Sequence, residues 1–170
     1  IIPGVNQKWN DESVVICAHC DHLGLGWPGG NTVNVGKIHP GADDNASGVA
    51  VMLEIAGLLG KTLKPQRTIV FVAFTNEEEG RVGSKYYVNT MKRFPAKKAV
   101  GVLNFDAVGR LGAKKLLILS SNSAREWKFI FMGAGYVTGV ESEMVTQDLD
   151  ASDERSFIAV GVPGVQFFAG

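Results

Sequence analysis

The chain has 170 residues, of which 45% are hydrophobic and 20% are charged, so it is long enough for one globular domain with a substantial core. Lys plus Arg and Asp plus Glu each number 17, giving a formal net charge of +0. This balance argues against nucleic acid or a polybasic membrane contact as the partner. No apolar run approaches the roughly 20 residues that span a bilayer, so we predict no membrane span.

The apolar segments follow two alternating patterns. Continuous runs of Val, Ile, Leu and Phe predict buried strands at 13–19, 67–75, 98–106, 115–120 and 163–168. Helical spacing of apolar residues predicts helices over 45–59, 83–94, 124–137 and 152–160. Ser123 is the predicted N-cap of the third helix. Strands that alternate with helices predict an α/β sandwich around a largely parallel sheet.

Residues 20–44 interrupt this alternation, and the glycine-rich stretch 24–30 within them predicts a loop. A connection of this length inside a compact domain is usually functional, so we expect it to line the rim of a site. Cys17 and Cys20 precede it in C-x-x-C spacing, but two cysteines are too few for a structural zinc site. Both are therefore predicted to be packing residues.

Polar side chains stand next to the ends of the apolar segments. His19 and Asp21 follow the first strand, and Asp43 and Asp44 precede the first helix. The carboxyl ends of parallel strands share a rim at which ligands bind, and an imidazole among carboxylates suits zinc. Alone, His19 could be structural, and one aspartate could simply cap the helix. The second aspartate leaves a carboxylate free to bridge two metal ions, and Asp21 could orient His19.

The next two predicted strands are followed by carboxylates as well. The run Glu77–Glu79 follows the second strand, and Asp106 ends the third. An acidic run is often only a solvated turn, but this one lies at the predicted rim of the sheet. Adjacent glutamates can supply both a metal ligand and the general base that hydrolysis needs. Together the clusters predict a metal-dependent hydrolase.

Two other enzyme classes fit the sequence less well. Residues 24–29 match the G-x-G-x-x-G dinucleotide fingerprint, and Asp43 and Asp44 follow about 20 residues later, where a ribose-binding acid would stand. However, Pro28 and the glycines after it do not begin the helix that the fingerprint requires. A serine hydrolase of the common type needs a G-x-S-x-G elbow, which the sequence lacks.

Four motifs follow one another along the chain: residues 18–24 (AHCDHLG), 40–48 (PGADDNASG), 74–80 (FTNEEEG) with Gly83-Ser84, and 103–106 (LNFD) with residues 108–110 (VGR). In this order and spacing they resemble the zinc aminopeptidases and related exopeptidases of the M28 type. The resemblance implies a three-layer α/β/α sandwich around a mixed, largely parallel sheet. It also implies hydrolysis of N-terminal bonds in peptide or aminoacyl substrates.

The resemblance implies a role for each site residue. Two zinc ions would be held, one by His19 and Asp106 and the other by Glu78, with Asp44 bridging them. Glu77 would be the general base, taking a proton from water and returning it to the leaving amine. The full set of implied residues is catalytic Glu77 and Asp21, with metal ligands His19, Asp44, Glu78 and Asp106.

The chain departs from the family pattern at its end. A last histidine ligand of the second zinc would follow a strand resembling 162–168, and neither His22 nor His39 is an obvious replacement. We therefore expect residues 1–170 to be a single, incomplete catalytic domain. The alternative function is an inactive, peptidase-like binding domain. The resemblance favours a secreted or periplasmic protein and leaves the substrate preference and oligomeric state open.

Overall fold

A computed structural model describes residues 1–26, 34–147 and 152–170 of the chain. Within these residues one sheet has the strands β1 Ser13–His19, β2 Thr68–Phe74, β3 Ala99–Phe105, β4 Leu116–Leu119, β5 Ser142–Met144 and β6 Gly164–Phe168. Their order across the sheet is β2-β1-β3-β6-β4-β5. Neighbouring strands are parallel except for β4 and β6, which are antiparallel. This confirms the prediction of a mixed, largely parallel sheet.

Helices cover both faces of the sheet: α1 Gly48–Thr62, α2 Val82–Thr90, α3 Glu126–Thr138 and α4 Glu154–Ile158. Successive side chains of a strand point to opposite faces, so β1 contributes to two cores. On one face its Ile16 packs in a cluster with Met52 of α1. On the other its Val15 packs in a cluster with Phe157 of α4 and Tyr87 of α2. Trp127 of α3 shares neighbours with the α1 cluster, which completes a three-layer sandwich.

The first helix differs from its prediction at both ends. It begins at Gly48 rather than residue 45, because the backbone of Asp44 (φ −103°, ψ 97°) and Asn45 (φ −135°, ψ 37°) is not helical. It also continues through Gly60 as far as Thr62. The delayed start leaves Asp43–Asn45 in an irregular, π-helical stretch, Ala42–Ser47, which faces the end of β3.

The other helices are shorter than predicted. Helix α2 ends at Thr90, and α4 spans only Glu154–Ile158. The prediction that Ser123 caps α3 is wrong: Arg125 is the N-cap residue. The Ser123 hydroxyl instead donates to the carbonyl of Gly164 (2.6 Å) and accepts the indole N–H of Trp127 (2.9 Å). Strand β5 was not predicted because its Ser-Glu-Met sequence contains no apolar run.

Three further predictions concern the loop after β1, the two cysteines and a membrane span. Residues 27–33 of the predicted loop lie outside the described part of the chain. Cys17 is buried, as predicted, whereas Cys20 is exposed and its thiol donates to the carbonyl of Phe74, so the packing prediction is wrong for Cys20. Among the described residues, none of the helices has the length and apolar character needed to cross a bilayer.

Strand register brings the predicted site to one edge of the sheet. His19, the last residue of β1, stands opposite Phe74, the last residue of β2. Cys17 stands opposite Asn104 of β3, so Asp106 emerges at the same edge as His19. The loop before α1 approaches this edge as well, because Asn45 Nδ2 donates to the carbonyl of Phe105.

Candidate metal centre

His19 is the buried centre of the site, with a side chain only 1% exposed. Its Nε2 atom lies 3.2 Å from Oδ1 of Asp44 and 3.4 Å from Oδ1 of Asp106. On the other side of the ring, Nδ1 lies 3.1 Å from the backbone carbonyl of Asp21 and 3.6 Å from its carboxylate. Three potential ligands thus converge. The contact between Nδ1 and the carbonyl of Asp21 fixes the orientation of the His19 ring.

The spacing of this cluster fits zinc. Two ligands of a tetrahedral zinc ion, each about 2.0–2.1 Å from the metal, lie about 3.3–3.4 Å apart, close to both His19 contacts. Asp44 Oδ1 is buried and makes no well-aligned hydrogen bond among the described residues, with Nε2 of His19 facing it at 3.2 Å. A buried carboxylate oxygen without a well-aligned hydrogen bond is costly, and a cation would satisfy it. His19, Asp44 and Asp106 therefore have the geometry and the donor chemistry of a metal site.

The charges around His19 also favour a cation at this position. Burial alone would lower the pKa of His19, but the carboxylates of Asp106 and Asp44 outweigh it and raise the pKa to about 11. Without a metal the imidazole is therefore protonated at neutral pH and serves as the counter-ion of the carboxylates. The cluster is built to hold positive charge at this position, whether that charge is a proton or a metal ion.

A second cluster adjoins the first through Asp44. Oδ2 of Asp44 lies 3.7 Å from Nδ1 of His22, and this nitrogen lies 2.7 Å from Oε1 of Glu78. The ligand atoms of His22, Asp44 and Glu78 all lie within 4.8 Å of one another. Each cluster is thus contacted by a different oxygen of Asp44, which is the arrangement of a bridging carboxylate.

Glu77 and Glu78 are held in place by Asp21, two residues beyond β1. Oδ1 of Asp21 accepts the backbone N–H of Glu77 (3.1 Å), and Oδ2 accepts that of Glu78 (3.3 Å). Burial raises the pKa of Glu77 to about 8, the charge of His19 opposes the rise, and Asp153 and Asp106 support it. A pKa this close to neutrality suits a group that accepts and then returns a proton.

Asn45 joins the loop of Asp44 to the end of β3. It is almost fully buried, and its Nδ2 donates to the carbonyl of Phe105 (2.9 Å). Its Oδ1 accepts the N–H groups of Gly48 (3.0 Å) and Ala107 (3.3 Å). Residue 48 must be glycine, because a Cβ there would lie 2.3 Å from both Asn45 Oδ1 and the Phe105 carbonyl oxygen. This contact fixes Asp44 relative to Asp106.

Asp43 has a different task from its neighbour. Its Oδ1 accepts the N–H of Gly109 at 2.7 Å, and its Oδ2 lies 3.5 Å from Nε of Arg110. The Ser47 hydroxyl donates to the Asp43 carbonyl and accepts the N–H of Val108. Asp43 therefore ties down the segment after Asp106, while Asp44 faces the two clusters.

Two acidic residues next to the site were missed in the sequence. Asp153 and Glu154, at the start of α4, are both fully buried. Burial raises the pKa of Asp153 to about 6 and that of Glu154 to about 7. Glu154 accepts from Asn104 Nδ2 (3.3 Å) and from the Ser120 hydroxyl (2.9 Å). In the sequence, the only sign of this pair is that two acidic residues precede an apolar segment. Such a pattern usually indicates only a favourable helix start.

The structure gathers all six residues implied by the resemblance at one edge of the sheet. His19, Asp44 and Asp106 form the first cluster, and Glu78 joins Asp44 in the second. The second cluster also contains His22, which was not among the predicted site residues.

Known proteins are similar to this chain in sequence and in fold. The family model described as Peptidase family M28 matches residues 1–170. Leupeptin-inactivating enzyme 1 of Streptomyces exfoliatus is 33% identical over 154 residues, covering 85% of this chain and 34% of that protein. Aminopeptidase YwaD of Bacillus subtilis is 34% identical over 135 residues, covering 77% of this chain and 29% of that protein.

A solved structure of an aminopeptidase is similar to this chain in fold. The aminopeptidase from Aneurinibacillus sp. strain AM-1 has a TM-score of 0.75 and 28% identity, covering 100% of this chain and 38% of that one. The matched region spans about a third of the length of these two curated relatives. By sequence and by fold, the chain belongs to peptidase family M28.

Proposed function

We propose that this chain is catalytic-domain sequence of a zinc aminopeptidase that removes N-terminal residues from peptides. The observation that carries the proposal is the position of Asp44 between His19 and Asp106 on one side and Glu78 on the other. The names of the relatives support the assignment, since they include an aminopeptidase and, among solved structures, a zinc aminopeptidase from Bacillus subtilis that is 28% identical.

The residues have distinct tasks in this proposal. His19, Asp44 and Asp106 would hold one zinc ion, and Asp44 with Glu78 would hold a second. Bound zinc would polarise the scissile carbonyl and lower the pKa of water at the site. Glu77 would accept a proton from that water and donate it to the departing amine. Asp21 would keep Glu77 beside the clusters through its bond to the Glu77 N–H.

An assay with matched substrates tests this function. The zinc-loaded protein should cleave aminoacyl p-nitroanilides, and it should not cleave the same compounds after N-acetylation. Glu77→Gln should lower kcat by roughly 10²–10⁴-fold, the usual contribution of general acid–base catalysis, while zinc content stays unchanged. Glu79→Gln is the matched control, because Glu79 is exposed and contacts Asn76 rather than the site.

Two results would count against the proposal. A Glu77→Gln protein with wild-type turnover would remove the general base from the mechanism. A wild-type protein that binds less than one zinc ion per chain at saturating zinc would favour the inactive binding domain instead.

A further inference from the structure

His22 lies where the second metal ion is proposed, although no sequence argument gave it a role. Its Nδ1 atom points between two carboxylates, at 2.7 Å from Glu78 Oε1 and 3.7 Å from Asp44 Oδ2. The ring is about one-fifth exposed, and it makes an edge contact with His39, with 6.2 Å between ring centroids. An imidazole in this position could bind the metal or hold one of its ligands.

The distances separate these two roles. Two ligands of one tetrahedral zinc ion lie about 3.3–3.4 Å apart, as the contacts of His19 do. The 2.7 Å between His22 and Glu78 is shorter than that and is the length of a strong, charge-assisted hydrogen bond. An ionised Glu78 carboxylate can only accept, so with Glu78 ionised this bond requires the His22 tautomer that carries its proton on Nδ1. A ring nitrogen that carries a proton has no lone pair left for a metal.

The hydrogen bond also determines which oxygen of Glu78 is available. It occupies Oε1 and leaves Oε2 free to act as a ligand. Carboxylates that bind metals are commonly held in this way by outer partners, which fix the rotamer before the metal arrives. We propose that His22 is a positioning residue that holds the Glu78 carboxylate beside Asp44 and does not bind the metal itself. This inference rests on the proposed function, because it concerns the second zinc position of that site.

Two substitutions at position 22 distinguish a donor from a ligand. The amide of His22→Asn can place an N–H near the former Nδ1, but it does not replace an imidazole as a zinc ligand. The alanine of His22→Ala provides neither an N–H donor nor a zinc ligand. We expect His22→Ala to weaken binding of the second zinc by about 10- to 100-fold, the usual effect of losing an outer partner, and His22→Asn to restore most of the affinity.

The measurements are zinc titration against a competing chelator and the number of imidazoles bound to zinc by X-ray absorption. The imidazole number should be the same in wild type and His22→Ala. Affinity at the His19 position should be unchanged in both variants, which shows that they are folded. His39→Gln is the matched control, because His39 contacts the His22 ring but is not part of either cluster.

Three results would overturn the inference. His22→Asn could bind the second zinc as weakly as His22→Ala, and both variants could have one zinc-bound imidazole fewer than wild type. That result would make His22 a ligand. Both variants could bind the second zinc as tightly as wild type, which would show that His22 does not hold Glu78. Wild type could take up only one ion even at saturating zinc, which would remove the second zinc position on which the inference rests. A protein that shows the expected zinc pattern but cleaves no aminoacyl substrate would refute the proposed function alone.

Discussion

Asp21 Oδ1 accepts a hydrogen bond from the backbone N–H of Glu77, at 3.1 Å. The other oxygen of the same carboxylate accepts from the N–H of Glu78, so one side chain just beyond β1 fixes the turn after β2. The contact to His19 comes chiefly from the Asp21 backbone carbonyl, at 3.1 Å, while the carboxylate is 3.6 Å away. Asp21 thus serves the proposed base and the proposed ligand at least as much as it serves His19.

Replacing Asp21 by Asn should therefore harm turnover more than zinc binding at His19. The amide presents an N–H₂ group to a backbone N–H and loses one of the two bonds to the turn, whereas the carbonyl of residue 21 still holds His19. We expect kcat/KM to fall about 10- to 100-fold, with a much smaller change in affinity at the His19 position. Steady-state kinetics and zinc titration measure the two effects. If Asn at position 21 removes zinc as His19→Ala does, the carboxylate is what orients His19.

Asp43 and Asp44 provide an internal comparison between neighbours. Asp44→Asn should reduce zinc content to well under one ion per chain, because each oxygen of Asp44 contacts a different cluster. Asp43→Asn should leave zinc content unchanged, because Asp43 contacts the segment of Gly109 and Arg110 and its acceptor oxygen survives as an amide oxygen. Elemental analysis of the dialysed proteins measures both. Equal loss of zinc in the two variants would contradict the assignment of Asp44 as the bridge.

The sequence predicted the sheet and the residues at its edge, because both follow from local patterns. Continuous apolar runs identify β1, β2 and β3, and parallel strands bring the residues after them to one edge. The place of Asn45 and the burial of Glu154 could not be predicted, because they depend on contacts with residues far away in the chain. The same holds for His22, whose partner Glu78 is 56 residues away.

Zinc binding near neutral pH should release protons. With its pKa raised to about 11, His19 is protonated in the metal-free protein at pH 7, and it must become neutral to bind zinc. Calorimetry in buffers with different ionisation enthalpies should show the release of about one proton from this residue for the first zinc bound. The release should diminish as the pH approaches the pKa of His19. A binding enthalpy at pH 7 that is independent of the buffer would contradict this picture.

The stability of the metal-free protein should depend on Glu154. The folded-state pKa of about 7 exceeds the ordinary value of 4.5, chiefly because of burial, so the folded state holds a proton that the unfolded state has lost. The stabilisation linked to this proton is fully present below about pH 4.5 and is lost as the pH rises through about 7. For one such group the loss amounts to about 3 kcal/mol.

Urea unfolding of wild type and Glu154→Gln at pH 5 and pH 8 measures this contribution. The glutamine stays neutral at both pH values and keeps an oxygen for Asn104 or Ser120, so the free energy of unfolding should change less with pH in the variant. Glu79→Gln, at an exposed position, should keep the wild-type dependence. If Glu154→Gln loses as much free energy of unfolding between pH 5 and pH 8 as wild type does, the loss comes from other groups. The nearest of these in sequence is Asp153, because burial raises its pKa to about 6. The pH dependence of Asp153→Asn would then identify the source.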